Sequence, residues 1–426
     1  MVGLSSYFRG FLASNAREAR RWRFLILAAG AALVAGSPAT AQQKYDQGAS
    51  DTEIKLGQTM PYSGPASAFA LIGRVMIGYF NMVNETQGGV NGRKVTLISL
   101  DDAFSPPKTV EQTRKMVESD GVLAIAGSLG SPPNLAIAKY LNSNKIPQIL
   151  VMAGAAKLDD PVNLPWTTTF YSSANVESQI YAQYILKTKP YGKIAVLYQN
   201  DDYGRNYLTG LKTALGNKAS MIVSEASYNL TDPTIDSQVI DLKASGADIF
   251  FMATSPKFSA QAIRRTYELN WKPLRIIVTA ASQIPTVLKP AGLEASKDLI
   301  TSQWIKAAGD PAWENDPPMK DFYAFVGKWV PGVQPEDASA VYAYSTAQIV
   351  HEVLKRCGDN LTRENLIKQA TNIKDLQLPL FIPGVKVNVA PNSRIGWRQG
   401  RMARFDGVNW VFFDDIITVP ENATRG

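Results

Sequence analysis

Lys193-IAVLYQNDDYGRNYLTGLKTALGNKASMIVSEAS-Tyr228 passes from a short apolar run, through a polar turn, into a longer mixed stretch and back to a second apolar run. This reads as a strand over 193–198, a helix over 203–215 and a strand over 221–228. The strands are continuous apolar runs rather than half-polar alternations. Such strands belong to parallel sheets covered by helices on both faces. Downstream the rhythm continues as helix 235–245, strand 248–252, helix 258–269 and strand 274–278. Upstream, Ile54-Lys-Leu-Gly57 runs as a strand into the turn cluster Met60-Pro-Tyr-Ser-Gly-Pro65, and a helix over 67–86 closes at Gly88-Gly89. Strand 95–100, helix 108–118, strand 122–126, helix 134–144, strand 148–152 and helix 176–187 follow. The connections should be right-handed crossovers.

Ten or more such units exceed one doubly wound sheet, so two lobes, each with a smaller sheet, are expected. The polar, strand-poor stretch 161–173 is the first expected crossing between them. After Trp304 the chain becomes Trp- and Pro-rich as far as Pro318, then carries helical patterns over 319–329 and 338–356. Short strands around Asp406-Gly407 are expected over 381–419.

The composition of the 426 residues, 45% hydrophobic and 19% charged, is that of a globular chain rather than a disordered, collagen-like or coiled-coil one. One His (His351) and one Cys (Cys357) leave no Cys/His zinc cluster, no intrachain disulfide and no Ser–His–Asp triad with a spare His. Both sit at the helix over 338–356; His351 reads as a surface or packing residue and Cys357 as a buried or half-buried thiol. Arg9, Arg17, Arg20, Arg21 and Arg23 precede an apolar run over 24–36 that ends in Ala39-Thr40-Ala41. That is the pattern of a secretory signal peptide over 1–41, cut before Gln42, and the run is too short to span a membrane. Its removal takes five Arg and one Glu, so the formal charge falls from +7 to +3, with 39 basic and 36 acidic residues. No nucleic-acid partner is implied by so small a charge. No Cys follows the apolar run, so the product is expected to be exported and soluble rather than a lipoprotein.

Several motifs carry chemistry. Gly127-Ser-Leu-Gly-Ser-Pro132 lies between a strand and a helix, where backbone amides and a helix start can hold an anion or carboxylate; a plain tight turn reads equally well. Asp101-Asp102 and Asp201-Asp202 close strands and are read first as helix caps, second as acid–base or metal groups. The aromatics Tyr62, Phe69, Phe104, Tyr171, Tyr203 and Phe258 recur in loops after strands and together suggest a cleft with an apolar floor.

In order along the chain, Pro61-Tyr-Ser-Gly-Pro-Ala-Ser67, Gly88-Gly-Val-Asn-Gly-Arg93, Asp101-Asp102, Asn200-Asp-Asp-Tyr-Gly204 and Leu269-Asn-Trp-Lys-Pro273 resemble the leucine/isoleucine/valine-binding proteins of bacterial ABC importers. The resemblance runs from about 54 to 410. It implies a non-enzymatic type I periplasmic-binding fold: two doubly wound parallel-sheet α/β lobes joined by three hinge crossovers, with one small ligand trapped on closure. The implied lobes are 42–169 plus 304–380 and 170–303 plus 386–426, with 381–385 as hinge.

The resemblance also implies an aromatic wall at Phe69, a carboxylate-holding hydroxyl at Ser131, a backbone partner at Gly154-Ala155-Ala156, a far-lobe aromatic at Tyr203 and a neighbouring-loop contribution from Thr254 or Ser255. Where the amino-acid binders carry a Thr, this chain has Ala156. Their ammonium-binding Glu falls near Thr279-Ala-Ala-Ser282, which has no carboxylate, so Asp102, Asp201 or Asp202 would have to replace it. Burying an ammonium without a counter-charge is costly. An apolar or aromatic carboxylic acid is therefore expected in preference to a branched-chain amino acid. The leading expectation is a monomeric periplasmic receptor with no cofactor, delivering such an acid or an amino-acid-like ligand to an inner-membrane ABC permease. A sensory ligand-binding protein of the same fold, a true branched-chain amino acid binder and an exported α/β enzyme remain as alternatives.

Overall fold

Strands β1 (Glu53–Met60), β2 (Lys94–Asp101), β3 (Ala124–Ala126), β4 (Gln148–Val151) and β5 (Thr167–Thr169) form one sheet, every neighbouring pair parallel, in the order β2-β1-β3-β4-β5. A second sheet holds β6 (Ile194–Gln199), β7 (Ile222–Tyr228), β8 (Ile249–Ala253), β9 (Leu274–Ile277), β10 (Ile300–Gln303), β11 (Gln399–Phe405) and β12 (Trp410–Phe412) in the order β12-β11-β10-β9-β8-β6-β7. Here β6 to β10 run parallel, while β11 and β12 add antiparallel at one edge, with β13 (Ile417–Thr418) beside β11. These features come from a computed structural model describing residues 44–170 and 173–420. The export segment expected over 1–41 and Tyr171 lie outside the described residues.

Each sheet has its own hydrophobic core. The first takes residues from Ile54 to Phe170 and from Trp304 to Val389, plus Trp397; the second takes Ala174 to Ile300, then Ile395 and Met402 to Val419. Helix α1 (Ala70–Gln87) packs against the distant helix α5 (Ala338–Cys357) in the first core. Gly88 ends α1 in the left-handed region, at φ 70°, where a side chain would be strained. The single His lies in α5, its Nδ1 3.0 Å from the Tyr79 hydroxyl, and burial lowers its pKa. Burial likewise pushes the Cys357 thiol up to about 12, so both behave as packing residues.

The chain passes between the cores after Phe170, near Trp304 and before Trp397, and these three aromatics meet. Trp397 lies 4.9 Å from Phe170 and 4.2 Å from Trp304 between ring centroids, with Phe381 at 5.3 Å. Main-chain bonds from Lys306 to Leu380 and from Ile382 to Trp304 tie the second passage to the segment 380–382 of the first core.

Two strands depart from expectation. The stretch 161–173 contains β5, and 300–303 is a central strand rather than part of a connection. Both are rich in Thr, Ser and Gln yet fully buried. Their polarity hides them from an apolar-run reading, and their side chains are satisfied by neighbours such as Asn142 and Tyr181.

Candidate functional site

The carboxyl ends of β1, β3 and β4 and those of β6, β8 and β9 border one cavity. This is the crevice position expected for open α/β sheets. From the first sheet come Ala66, Phe69, Phe104, Leu129, Ser131, Met152 and Gly154; from the second, Gln199, Tyr203, Tyr207, Leu230, Ser255 and Ala280. Among the described residues, none that lines the cavity carries a formal charge.

Ser131 begins helix α2 (Ser131–Ser143). It is 1% exposed, and its hydroxyl has no hydrogen-bond partner among the described residues. Pro132 and Pro133 follow and contribute no N–H, so the helix start offers chiefly the Ser131 hydroxyl and amide. An orphaned donor at the positive end of a helix, facing an uncharged cavity, is suited to an anionic group. Gly130, at φ 99°, makes this geometry possible, because a Cβ there would lie 2.5 Å from Phe104 Cε2. Gly130→Ala is therefore expected to destabilise the fold by about 1–3 kcal/mol through backbone strain and displacement of Phe104. A thermal-unfolding midpoint equal to that of the parent would refute this.

The Asp pairs serve local geometry. Asp101 accepts from Ser63 N and Ala103 N, both at 3.0 Å, from Ser63 Oγ at 2.6 Å, and from Lys108 Nζ at 2.8 Å. Partial burial opposes its ionisation, but Lys108 and Ser63 hold its carboxyl well below the usual range. Asp102 accepts from Phe104 N and the Thr109 hydroxyl, both at 2.9 Å, and burial raises its pKa. Together they pin Ala103 (φ 51°) and Phe104 (φ 59°) in the left-handed region, which directs the Phe104 ring to the cavity. Asp201 caps helix α4 (Asp202–Leu215) by accepting from Tyr203 N and Gly204 N, and burial raises its carboxyl too. Asp202 pairs with Lys157 at 2.9 Å, joining the loops that follow β4 and β6. No Asp of either pair lines the cavity.

Of the residues expected to hold a ligand, Phe69, Ser131, Gly154, Tyr203 and Ser255 meet around the cavity; Tyr62, Asp102, Ala155, Ala156, Thr254 and Ser282 do not line it. The Tyr62 hydroxyl sits 2.6 Å from Ser99 Oγ, Thr254 pairs with Ser259 at 2.5 Å, and Ser282 donates to the Thr279 carbonyl at 2.8 Å. Ala155 is buried among Leu158 and its neighbours, and Ala156 starts a 3-10 turn. Phe258 is core, packed 4.2 Å from Tyr228. Met152, Tyr207, Leu230 and Ala280 line the cavity without any sequence signal that marks them.

A buried carboxylate lies behind this wall. Glu177, in the first turn of helix α3 (Ala174–Thr188), is 3% exposed. It accepts from Tyr207 OH, from Tyr181 OH at 2.5 Å and from Thr279 N at 2.7 Å, with the Thr279 hydroxyl 2.6 Å away. Burial, then the Glu177 charge, raises both phenol pKa values far above normal, so the phenols act as donors. The carboxylate absent from Thr279–Ser282 thus reappears one layer back, already saturated by hydrogen bonds and off the cavity surface.

Residues 53–407 match the family described as "Periplasmic binding protein". Over 94% of its length the chain is 24% identical to "Leu/Ile/Val-binding protein homolog 7" of Brucella suis, covering 97% of that protein. A branched-chain amino acid ABC transporter protein from Thermus thermophilus with bound valine superposes with a TM-score of 0.78 at 16% identity, over 88% of this chain and 98% of that one. An ABC transporter solute-binding protein from R. palustris in complex with benzoate gives 0.71 at 17% identity, over 84% and 95%. One backbone plan thus accommodates guests as different as a zwitterion and an aromatic acid in the proteins it resembles.

Proposed function

The chain belongs to the periplasmic binding protein family, whose members capture solutes rather than transform them, and from that premise we propose that it is the receptor of an ABC importer for an apolar or aromatic monocarboxylic acid. The observation that carries this reading is the pairing of a buried, unpartnered Ser131 hydroxyl at a helix start with a lining free of formal charge. The carboxylate sits on Ser131, and the body lies against Phe69, Phe104, Tyr203 and Leu230. An α-ammonium would have no acidic partner on the wall, a deficit of several kcal/mol for a desolvated cation. The known benzoate complex of a similar fold is consistent with this choice of guest.

Capture works by closure of two lobes, one built on each sheet and its core, about the three passages. A ligand touching both walls favours the closed form because only there does it make both sets of contacts. Calorimetry should find benzoate, phenylacetate or hexanoate binding at least about 100-fold more tightly than leucine or valine, the difference expected from an unpaired buried ammonium. Tight binding of either amino acid would overturn the assignment.

A further inference from the structure

Beside the main cavity lies a second, smaller one. Phe69 and Ala280 line both, so they form the partition between them. The second compartment is walled by Trp304, Ile305 and Tyr342 and carries Gln283, which is 4% exposed. Gln283 Nε2 donates to the Ala280 carbonyl at 2.8 Å and lies 3.4 Å from Ser339 Oγ. A carbonyl can only accept, so the amide nitrogen must face it, and this fixes the orientation of the side chain. Gln283 Oε1 is then an acceptor buried without a partner. The other cavity-lining amide, Gln303, donates to Ser282 Oγ at 3.1 Å, and the Thr279 hydroxyl is engaged by Glu177. Leaving a buried acceptor empty is unfavourable, so the site is built for a donor.

We propose that the ligand extends past Phe69 into this second compartment, and that Gln283 accepts a hydrogen bond from a hydroxyl at the end remote from the carboxylate. The guest is then an apolar acid with a terminal hydroxyl, hydroxyaryl or hydroxyalkyl. This rests on the assignment of Ser131 as the carboxylate anchor and names the other end of the same ligand. Phe69 sets the length at which the hydroxyl reaches Gln283.

Calorimetry on the full mature chain tests this with phenylalkanoic acids of zero to three methylenes, each paired with its 4-hydroxy counterpart. At one spacer length the hydroxylated acid should bind about tenfold more tightly than its partner, the effect of filling an otherwise empty buried acceptor. In Gln283→Met, with folding checked by its unfolding midpoint, that preference should disappear. Equal affinities within every pair would overturn the proposal, as would a preference that persists in Gln283→Met. The comparison on the unaltered protein decides the matter should the variant not fold. If no acid of either series binds, the Ser131 assignment itself fails; if the unsubstituted acids bind and only the preference is absent, that assignment stands and the role of Gln283 falls.

Discussion

Glu177→Leu is expected to lower the unfolding midpoint by roughly 5–10 °C, whereas Glu177→Gln should cost no more than about a third of that. Leucine fills similar space but accepts nothing. Tyr181 retains the Ile277 carbonyl at 3.1 Å, and the Thr279 hydroxyl retains the Ser302 carbonyl at 2.7 Å. Among the described residues Thr279 N–H and Tyr207 OH have no such second acceptor, and each orphaned donor costs about 1–3 kcal/mol. The gain from removing a buried charge offsets part of this, which keeps the net loss near 3 kcal/mol rather than 5. Glutamine keeps one acceptor oxygen for the Thr279 amide, and a phenol can rotate to accept from its new N–H. Equal losses for both variants would show that charge, rather than the accepting geometry, is what the cluster requires. Because Tyr207 lines the cavity, Glu177→Leu should weaken ligand binding as well.

How much of this was readable beforehand follows from where the signals lie. The strands 249–253 and 194–199 are apolar and fully or nearly fully buried, so periodicity finds them. Thr167–Thr169 and Ile300–Gln303 are equally buried, but their environment is made by partners distant in sequence, and no local pattern announces it. The same division runs through the site. Ser131 and Tyr203 sit in turns after strands, where turn chemistry is visible, while Tyr207 lies on a helix face and reads as core. No local sequence signal marks Glu177; its importance arises from residues 4, 30 and 102 positions away. Asp101-Asp102, which reads first as a helix cap and second as acid–base or metal chemistry, shapes a left-handed turn instead of facing a ligand.

Ser131→Asp should abolish acid binding, with a loss of about 1,000-fold or more, while leaving the protein folded. Two carboxylates about 4 Å apart at an effective dielectric of about 20 repel by about 4 kcal/mol, close to three decades in affinity. The same charge is tolerated by the empty protein because an acidic residue in a first helical turn interacts favourably with the helix dipole. Ser131→Ala separates the two contributions. Its hydroxyl makes no bond among the described residues, so its removal should leave the unfolding midpoint unchanged or slightly raised. Affinity should nevertheless fall about 10–100-fold, the range for one hydrogen bond to a charged group. With Pro132 and Pro133 supplying no amides, no neighbouring donor on that helix start compensates. Stability retained and affinity lost is the signature of a group kept for its guest. Unchanged affinity in Ser131→Ala would remove the anchor from this serine and leave its buried orphan hydroxyl unexplained.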